Sequence, residues 1–343
     1  MRAPFVGFKL PRLFTLAGMV LNPQQPQQQR ESWSQIFGGP LARINDVQPA
    51  IVSPSVVPPQ HRGNSDLKLV SWNLLATPYC RPREALEEGL ARGRAQVAYV
   101  AEADADVIGL QEFWCGSSEY IEMWRAFAAD KGYFLHLCPR VNGKQDGCAL
   151  LIRAACCVAE PEFYTYHYDD WGSRVVQVAK IAQMDREPLM LVNTHLTFPH
   201  DSDHDPAMRR EQARKLSELI RCQTSPTVLF GDMNTPCESD AAIAEITGLG
   251  GCRPQPPASA AVTGGAADGK WYSHMAHTGA LMPCDLVFTR GACEVAEWSL
   301  GGSVEALVAR ELPSDHRPLH ATISRSNDEQ GTAPGTHDSS DAS

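Results

Sequence analysis

No run of apolar residues reaches the ~18 needed for a membrane-spanning helix, so nothing in the chain reads as a stable membrane insertion. The C-x-x-C spacing is absent. The cysteines number 11, an odd count, and the neighbours Cys156 and Cys157 form no familiar zinc pattern. They read as mostly buried thiols of a reducing compartment rather than as a disulfide framework. Positive charge is scarce too: Lys and Arg total 30 against 40 Asp and Glu, a formal net charge of -10. This argues against a strongly basic binder of duplex DNA. It leaves room for an acidic enzyme that handles phosphates by recruiting a cation, with the surplus carboxylates as ligands. Internal repeats are also missing. What the chain does have is apolar material, 43% hydrophobic against 20% charged residues. That is enough for a sizeable core and excludes a disordered or fibrous main body. The 343 residues fit two domains, or one α/β domain of ~250 residues.

The two ends differ from the middle. Residues 1–66 open with Arg2, Lys9, Arg12 and Arg30 before the first acid, Glu31, with Phe5, Phe8, Leu10, Leu13, Phe14 and Leu16 interleaved. This N-terminal extension has the character of a mitochondrial or plastid transit peptide. A frayed terminus or weak signal peptide are the rival readings, and without import the protein would be cytoplasmic. Residues 45–66 read as linker. Residues 326–343 carry no large apolar side chain and read as a disordered acidic tail.

Between them, 67–325 holds the folded domain. Strands are expected at 67–73, 107–111, 133–137, 148–152, 162–167, 175–182, 189–196, 227–230, 285–289, 294–299 and 319–323, and helices at 83–103, 119–131, 207–222 and 238–247. Consecutive strands with flanking helices favour a two-sheet α/β sandwich over a strictly alternating parallel fold.

Polar residues interrupt the apolar runs at strand ends. Asn73 follows Val70-Ser71-Trp72, Glu112 follows Leu110-Gln111, and His195 follows Asn193-Thr194. Asp232 and Asn234 follow Phe230-Gly231, Asp285 opens a strand, and Ser314-Asp315-His316 precedes the last one. One such residue is ordinarily a turn former or helix cap. Six such places gather carboxylates, amides and histidines at the rim of one sheet, where loops carry function. Glu112, Asp232, Asp285 and Asp315 crowded together would repel without a cation, and hard oxygen ligands select Mg²⁺ or Mn²⁺.

These segments resemble the ordered motif set of the endonuclease/exonuclease/phosphatase superfamily. Asn73-Leu74-Leu75-Ala76 and Asp146-Gly147-Cys148-Ala149-Leu150 are similar to its CCR4/nocturnin/Angel-like branch. The resemblance implies a four-layer αββα sandwich of two packed mixed β-sheets flanked by helices. It implies Mg²⁺-dependent cleavage of a phosphoester by water, with Mn²⁺ able to substitute. By motif, Glu112 would hold the metal, with Asn73 and Asp315 beside it. Asp232 would position or deprotonate the water. Asn234 and His195 would donate to the phosphoryl oxygens, and His316, oriented by Asp285, would stabilise charge building on phosphorus.

Other signals are weaker. Asp201, Asp203 and Asp205 imitate a calcium loop, but Pro206 and Gln212 stand where Gly and Glu are needed, so a solvated loop capping the next helix is favoured. Gly264–Lys270 has phosphate-loop spacing without a preceding strand. His200 and His204 sit in a loop, an unpromising zinc pair. Arg209 and Gln212 share a helix face that is either solvated or in contact with substrate phosphate. Trp271, Tyr272 and His274 are either core or a base-stacking edge. Three functions stay open: a 3′–5′ exoribonuclease of deadenylase type on single-stranded RNA, a phosphatase or phosphodiesterase on a small phosphorylated molecule (a dinucleotide phosphate, phosphoinositide or sphingolipid), and an inactive binding module. The first is preferred. No obligate protein partner is evident.

Overall fold

The computed structural model describes residues 66–325, except 185, 201, 249 and 255–269, together with two short strands at Ala42–Arg43 and Ile51–Val52. The transit-peptide reading, the tail and most of the phosphate-loop-like stretch lie outside the described residues.

Eleven longer strands and five helices alternate as follows: β1 (Leu67–Asn73), α1 (Leu86–Ala103), β2 (Val107–Trp114), α2 (Ser118–Lys131), β3 (Tyr133–Pro139), β4 (Asp146–Arg153), β5 (Glu162–His167), β6 (Val175–Ile181), β7 (Leu189–His195), α3 (Asp205–Arg221), β8 (Thr227–Asp232), α4 (Ala241–Gly248), β9 (Asp285–Arg290), β10 (Cys293–Leu300), α5 (Val304–Val308) and β11 (Leu319–Arg325). They form two seven-stranded sheets. One runs β10-β11-β1-β2-β4-β3 and ends on Ile51–Val52. The other runs β5-β6-β7-β8-β9, with Ala42–Arg43 beside β5 and Arg253–Pro254 beside β9. Residues 45–66, expected as linker, therefore contribute Ile51–Val52 as an edge strand on β3.

Each sheet is mixed in the same way. The pairs β1–β2 and β7–β8 are parallel, and the remaining pairings along β1–β11 are antiparallel. Parallel neighbours need a crossover, and the helices α1 and α3 supply it. Alternation in β1 sends Leu67 and Leu69 into the apolar layer shared with Val178, Leu191 and Phe230 of the facing sheet. Val70 and Trp72 go the other way, to Val100 of α1 and Trp124 of α2. Ala213, Leu216 and Ile220 of α3 cover the second sheet from outside. Helix, sheet, sheet, helix is the expected four-layer sandwich, with all four layers sharing buried apolar faces.

Between the sheets the packing is partly polar. Gln111 Nε2 donates to Asn193 Oδ1 (2.7 Å), Asn193 Nδ2 to Gln177 Oε1 (2.9 Å), and Gln177 Nε2 to the His136 carbonyl (2.9 Å). All four residues are fully buried. Such a chain fixes the register of one sheet against the other, because a slip would strand buried amides without partners.

Several boundaries differ from expectation by a few residues, and two of these differences have identifiable reasons. β2 runs on to Trp114 rather than stopping at Gln111, because a bulge between Leu110 and Phe113 lets it resume pairing with β4. α4 starts at Ala241, where Asp240 Oδ1 accepts from the Ala242 amide at 2.8 Å. The short α5, capped by Ser303 Oγ on the Ala306 amide (3.1 Å), has too few residues to show a period.

Candidate active site

The parallel pairs direct their carboxyl ends to one rim, and the side chains there converge from both sheets. His195, Asp232 and Asp285 lie side by side on β7, β8 and β9, since Asp232 is in register with both of the others. Residues in register share a face, so three polar side chains project together from one rim of the sheet. From the other sheet, Asn73 Nδ2 reaches Asp232 Oδ2 at 2.9 Å. Glu112 sits in the β2 bulge with φ +47°. The bulge turns its side chain out of the strand alternation, and its Oε2 accepts from the Ala76 amide at 3.2 Å.

The loop before β11 brings the last residues. Trp72 Nε1 donates to the His316 carbonyl (2.9 Å), and Ser314 Oγ donates to the Asn73 carbonyl (2.6 Å) while accepting from the His316 amide (3.1 Å). His316 is thereby tied to β1. Its Nδ1 meets Asp285 Oδ2 at 2.8 Å and its Nε2 lies 3.7 Å from Asp232 Oδ2. His274 stacks on it with ring centroids 4.0 Å apart and lies 3.6 Å from Asp315.

Gly231 makes this arrangement feasible. Its φ is +139°, and a Cβ there would sit 2.1 Å from the Thr194 carbonyl oxygen. β7 and β8 thus pack with no room for a side chain at Gly231, just where both deliver a site residue. Asn234 follows at φ +51°, its amide N–H donating to Asp232 Oδ1 (2.8 Å) and its Nδ2 to the Leu196 carbonyl (2.9 Å).

The electrostatics separate the roles. Burial opposes charge on His316, but Asp285 and Asp232, helped by Asp315, overcome it and raise the ring to about 10. At neutral pH it is an imidazolium. His195 goes the opposite way, well below the ordinary value, because of burial and the neighbouring Arg174 and Arg140. It is neutral. Arg174 Nη1 lies 2.7 Å from its Nδ1, while Asn234 Nδ2 and Asp232 Oδ2 lie 2.8 and 3.3 Å from its Nε2. Asp232 is pushed up by burial against the pull of His316. Glu112 is raised to about 7 by burial and by Asp146 and Asp315. Against the upward push of burial, His274 and His316 hold Asp315 below the carboxylate range.

Among the described residues, two groups of three His and Asp side chains bring ligand atoms within 4.8 Å of one another: His274, Asp315 and His316, and Asp232, Asp285 and His316. His316 belongs to both, and a protonated His316 cannot ligate, so both groups are hydrogen-bonding arrays. Glu112 belongs to neither group. Yet its charge is disfavoured beside Asp146 and Asp315, and a hard cation at its carboxylate would relieve that. The donor set fits Mg²⁺ or Mn²⁺ at Glu112 with Asp315 near, where one or two carboxylates, water and substrate oxygens complete the shell.

A cleft of about 500 Å³ is lined by Asn73, Glu112, Asp232, Asn234, His274, Asp315 and His316. Asp285 and His195 stand behind them. Arg209 is a correction to the expectation of a solvated or phosphate-facing side chain. It is buried, pairs with Asp240 at 2.6 Å, and donates to the Thr197 carbonyl. Gln212 is buried likewise, bonding Thr197 and Asp170. Trp271 is core, edge-on to Trp298, and Asp205 turns inward to accept from His200 rather than facing solvent.

Sequence reasoning missed the cations. Arg81, Arg140, Lys144 and Arg174 all line the cleft. Arg140 is held by Asp146, with Nη1 to Oδ1 and Oδ2 at 3.0 and 2.9 Å. Arg174 is 8% exposed, and among the described residues no carboxylate lies within ion-pair distance of it. Burial and Arg140 lower its pKa. A buried guanidinium of this kind is costly unless an anion joins it. The signal lay at strand starts: β6 runs antiparallel to β7, so its beginning meets the end of β7 at the same rim.

Residues 70–316 match the model of the Endonuclease/Exonuclease/phosphatase family. A protein of Arabidopsis thaliana described as an uncharacterized calcium-binding protein is 27% identical over 201 residues, 50% of this chain and 40% of that one. The chain thus spans less than half the length of that relative. In fold, the human Nocturnin catalytic domain with bound sulfate superposes with TM-score 0.56 at 16% identity, covering 81% of this chain and 98% of its own. ANGEL2, a 2′,3′-cyclic phosphatase in complex with adenosine-2′,3′-vanadate, superposes with TM-score 0.59 at 15% identity, covering 81% and 98%.

Proposed function

The chain belongs to the endonuclease/exonuclease/phosphatase family and is a phosphoester hydrolase, and from that premise we propose that it is a Mg²⁺-dependent nuclease that trims single-stranded RNA from the 3′ end. The observation that carries this reading is the array Asp285–His316–Asp232 opposite Glu112 in one cleft. It pairs a cation held by two carboxylates with a carboxylate positioned to take a proton.

In this reading the phosphodiester lies against Arg174, Asn234 and His316, which oppose the negative charge that grows on its oxygens in the transition state. Asp232, its orientation set by Asn73 and the Asn234 amide, aligns a water for in-line attack and accepts its proton. Burial supports this by making Asp232 a stronger base. Asp285 keeps His316 charged and turned toward the phosphorus. Glu112 and Asp315 would hold the metal, which when bound supplies a Lewis acid to a phosphoryl oxygen.

A second reading, a small phosphorylated molecule, is favoured by the grouping of Arg81, Arg140, Lys144 and Arg174 around one cleft. Product analysis separates the two. The purified protein is incubated with oligoadenylate, mixed-sequence RNA, a dinucleotide phosphate and a phosphoinositide, with Mg²⁺ or with EDTA. Release of mononucleotides from RNA with Mg²⁺ alone is expected. Phosphate release from a small molecule with RNA left intact would overturn the nuclease reading.

A further inference from the structure

Trp171 is 60% exposed, and of the large apolar side chains exposed among the described residues it alone lines the cleft; Leu86, Val158, Met184 and Val308 do not. A tryptophan exposed to this degree forgoes much of its burial, the largest of any side chain. The loop that carries it, between β5 and β6, is pinned on both sides. Asp170 Oδ2 accepts from Gln212 Nε2 (2.6 Å), the Asp170 carbonyl accepts from the Ser173 amide (3.0 Å), and Ser173 Oγ accepts from Asn142 Nδ2 (2.8 Å). Arg140 donates to the Gly172 carbonyl, and Lys215 Nζ to the Tyr168 carbonyl at 2.7 Å. The backbone on either side of the indole is therefore fixed, and Trp171 lines the same cleft as Arg174, three residues on.

Resting on the nuclease reading above, we propose that Trp171 is a stacking platform for a nucleobase adjoining the scissile phosphate. An indole face takes any base, and its worth is greatest where the base is already unpaired. Arg174 and Trp171, which line the same cleft, would recognise the two chemically distinct halves of one nucleotide. A membrane anchor is the less favoured role for the same side chain. Asp169 and Asp170 precede it in sequence, no second exposed large apolar residue among the described residues joins it at the cleft, and the chain carries a net charge of -10. Anionic headgroups would be repelled where the tryptophan would have to insert.

The test compares binding of a dye-labelled oligoadenylate with that of its abasic counterpart, by fluorescence anisotropy in the full chain. The Asp232→Asn background with Mg²⁺ keeps both intact. Trp171→Ala is expected to weaken the oligoadenylate about tenfold and the abasic oligomer less than twofold, with Trp171→Phe restoring most of the difference. Equal weakening of both oligomers, or of neither, overturns the platform. Trp171-dependent binding to phosphatidylserine vesicles, with the oligomers undiscriminated, overturns it in favour of a membrane role. Base-dependent binding by a protein that cleaves no RNA would sink the nuclease reading while sustaining the platform.

Discussion

A charge on Glu112 finds little support from the protein alone: it is half-buried, it faces Asp146 and Asp315, and its pKa rises to about 7. The folded chain therefore binds this proton more tightly than the unfolded chain, whose value is near 4.5. Stability supplied by the neutral form is present below 4.5 and is lost as pH rises through the interval to about 7. In EDTA the melting temperature should fall across that interval, less so in Glu112→Gln, and Mg²⁺ should reverse the fall; calorimetry at several pH values checks this. Metal affinity should weaken about tenfold per pH unit below 7 in the wild type, as one proton competes with the cation. His316 has the opposite character. Its raised value, about 10 against an ordinary 6.5, means its stabilising contribution is full below 6.5 and is lost as pH climbs to about 10. The alkaline limb of the rate profile should lie near 10, and Asp285→Asn should move it toward neutrality. His316→Ala should cost roughly a hundredfold in single-turnover rate. Combined with Asp285→Asn it should cost less than the product of the two, because each acts through the other. Full additivity would show that the two do not work as a pair.

At the scale of elements, the site depends on how closely strands approach. Gly231 lies where β7 and β8 each deliver a side chain, and its φ of +139° and the 2.1 Å to the Thr194 oxygen leave no room for a methyl group. Gly231→Ala should lower stability by roughly 2–4 kcal/mol and misplace Asp232; urea denaturation and single-turnover kinetics on the same variant check both, and an unperturbed midpoint would mean the backbones separate without cost. Strands 162–167 and 67–73 are legible to the residue, each opening just after a polar or turn-forming neighbour, Pro161 or Asp66, and closing on a polar residue, His167 or Asn73. The bulge at Gln111 and Glu112 was not, because a bulge is defined by the partner strand and leaves no period in its own.

Over the whole molecule, a net charge of -10 coexists with four cations around one cleft. Arg140 is neutralised by Asp146, leaving Arg81, Lys144 and Arg174 to meet phosphates. Affinity for single-stranded RNA should therefore depend on salt with a log–log slope of about -2, taking ~0.7 per contact. A slope several times steeper, measured by titration at a range of KCl concentrations, would reveal a longer basic track than this cleft offers.

Composition and pattern determined which residues are buried strands and helices, and which polar residues close those strands. Burial of apolar runs is a local, periodic demand that any sequence window records. Glu112, Asn73, His195, Asp232, Asn234, Asp285, Asp315 and His316 could be named as a set because each ends or adjoins such a run. Folding decided what each of them is. The protonation of His316 and the neutrality of His195 depend on carboxylates and guanidinia brought from strands far away in sequence. Arg209, one turn from Gln212, went to Asp240 in the interior rather than to substrate, and Arg174 and Trp171 reached the cleft from the loop that leads into an antiparallel strand. Charge and direction are set by neighbours in space, and those neighbours exist only once the two sheets have closed.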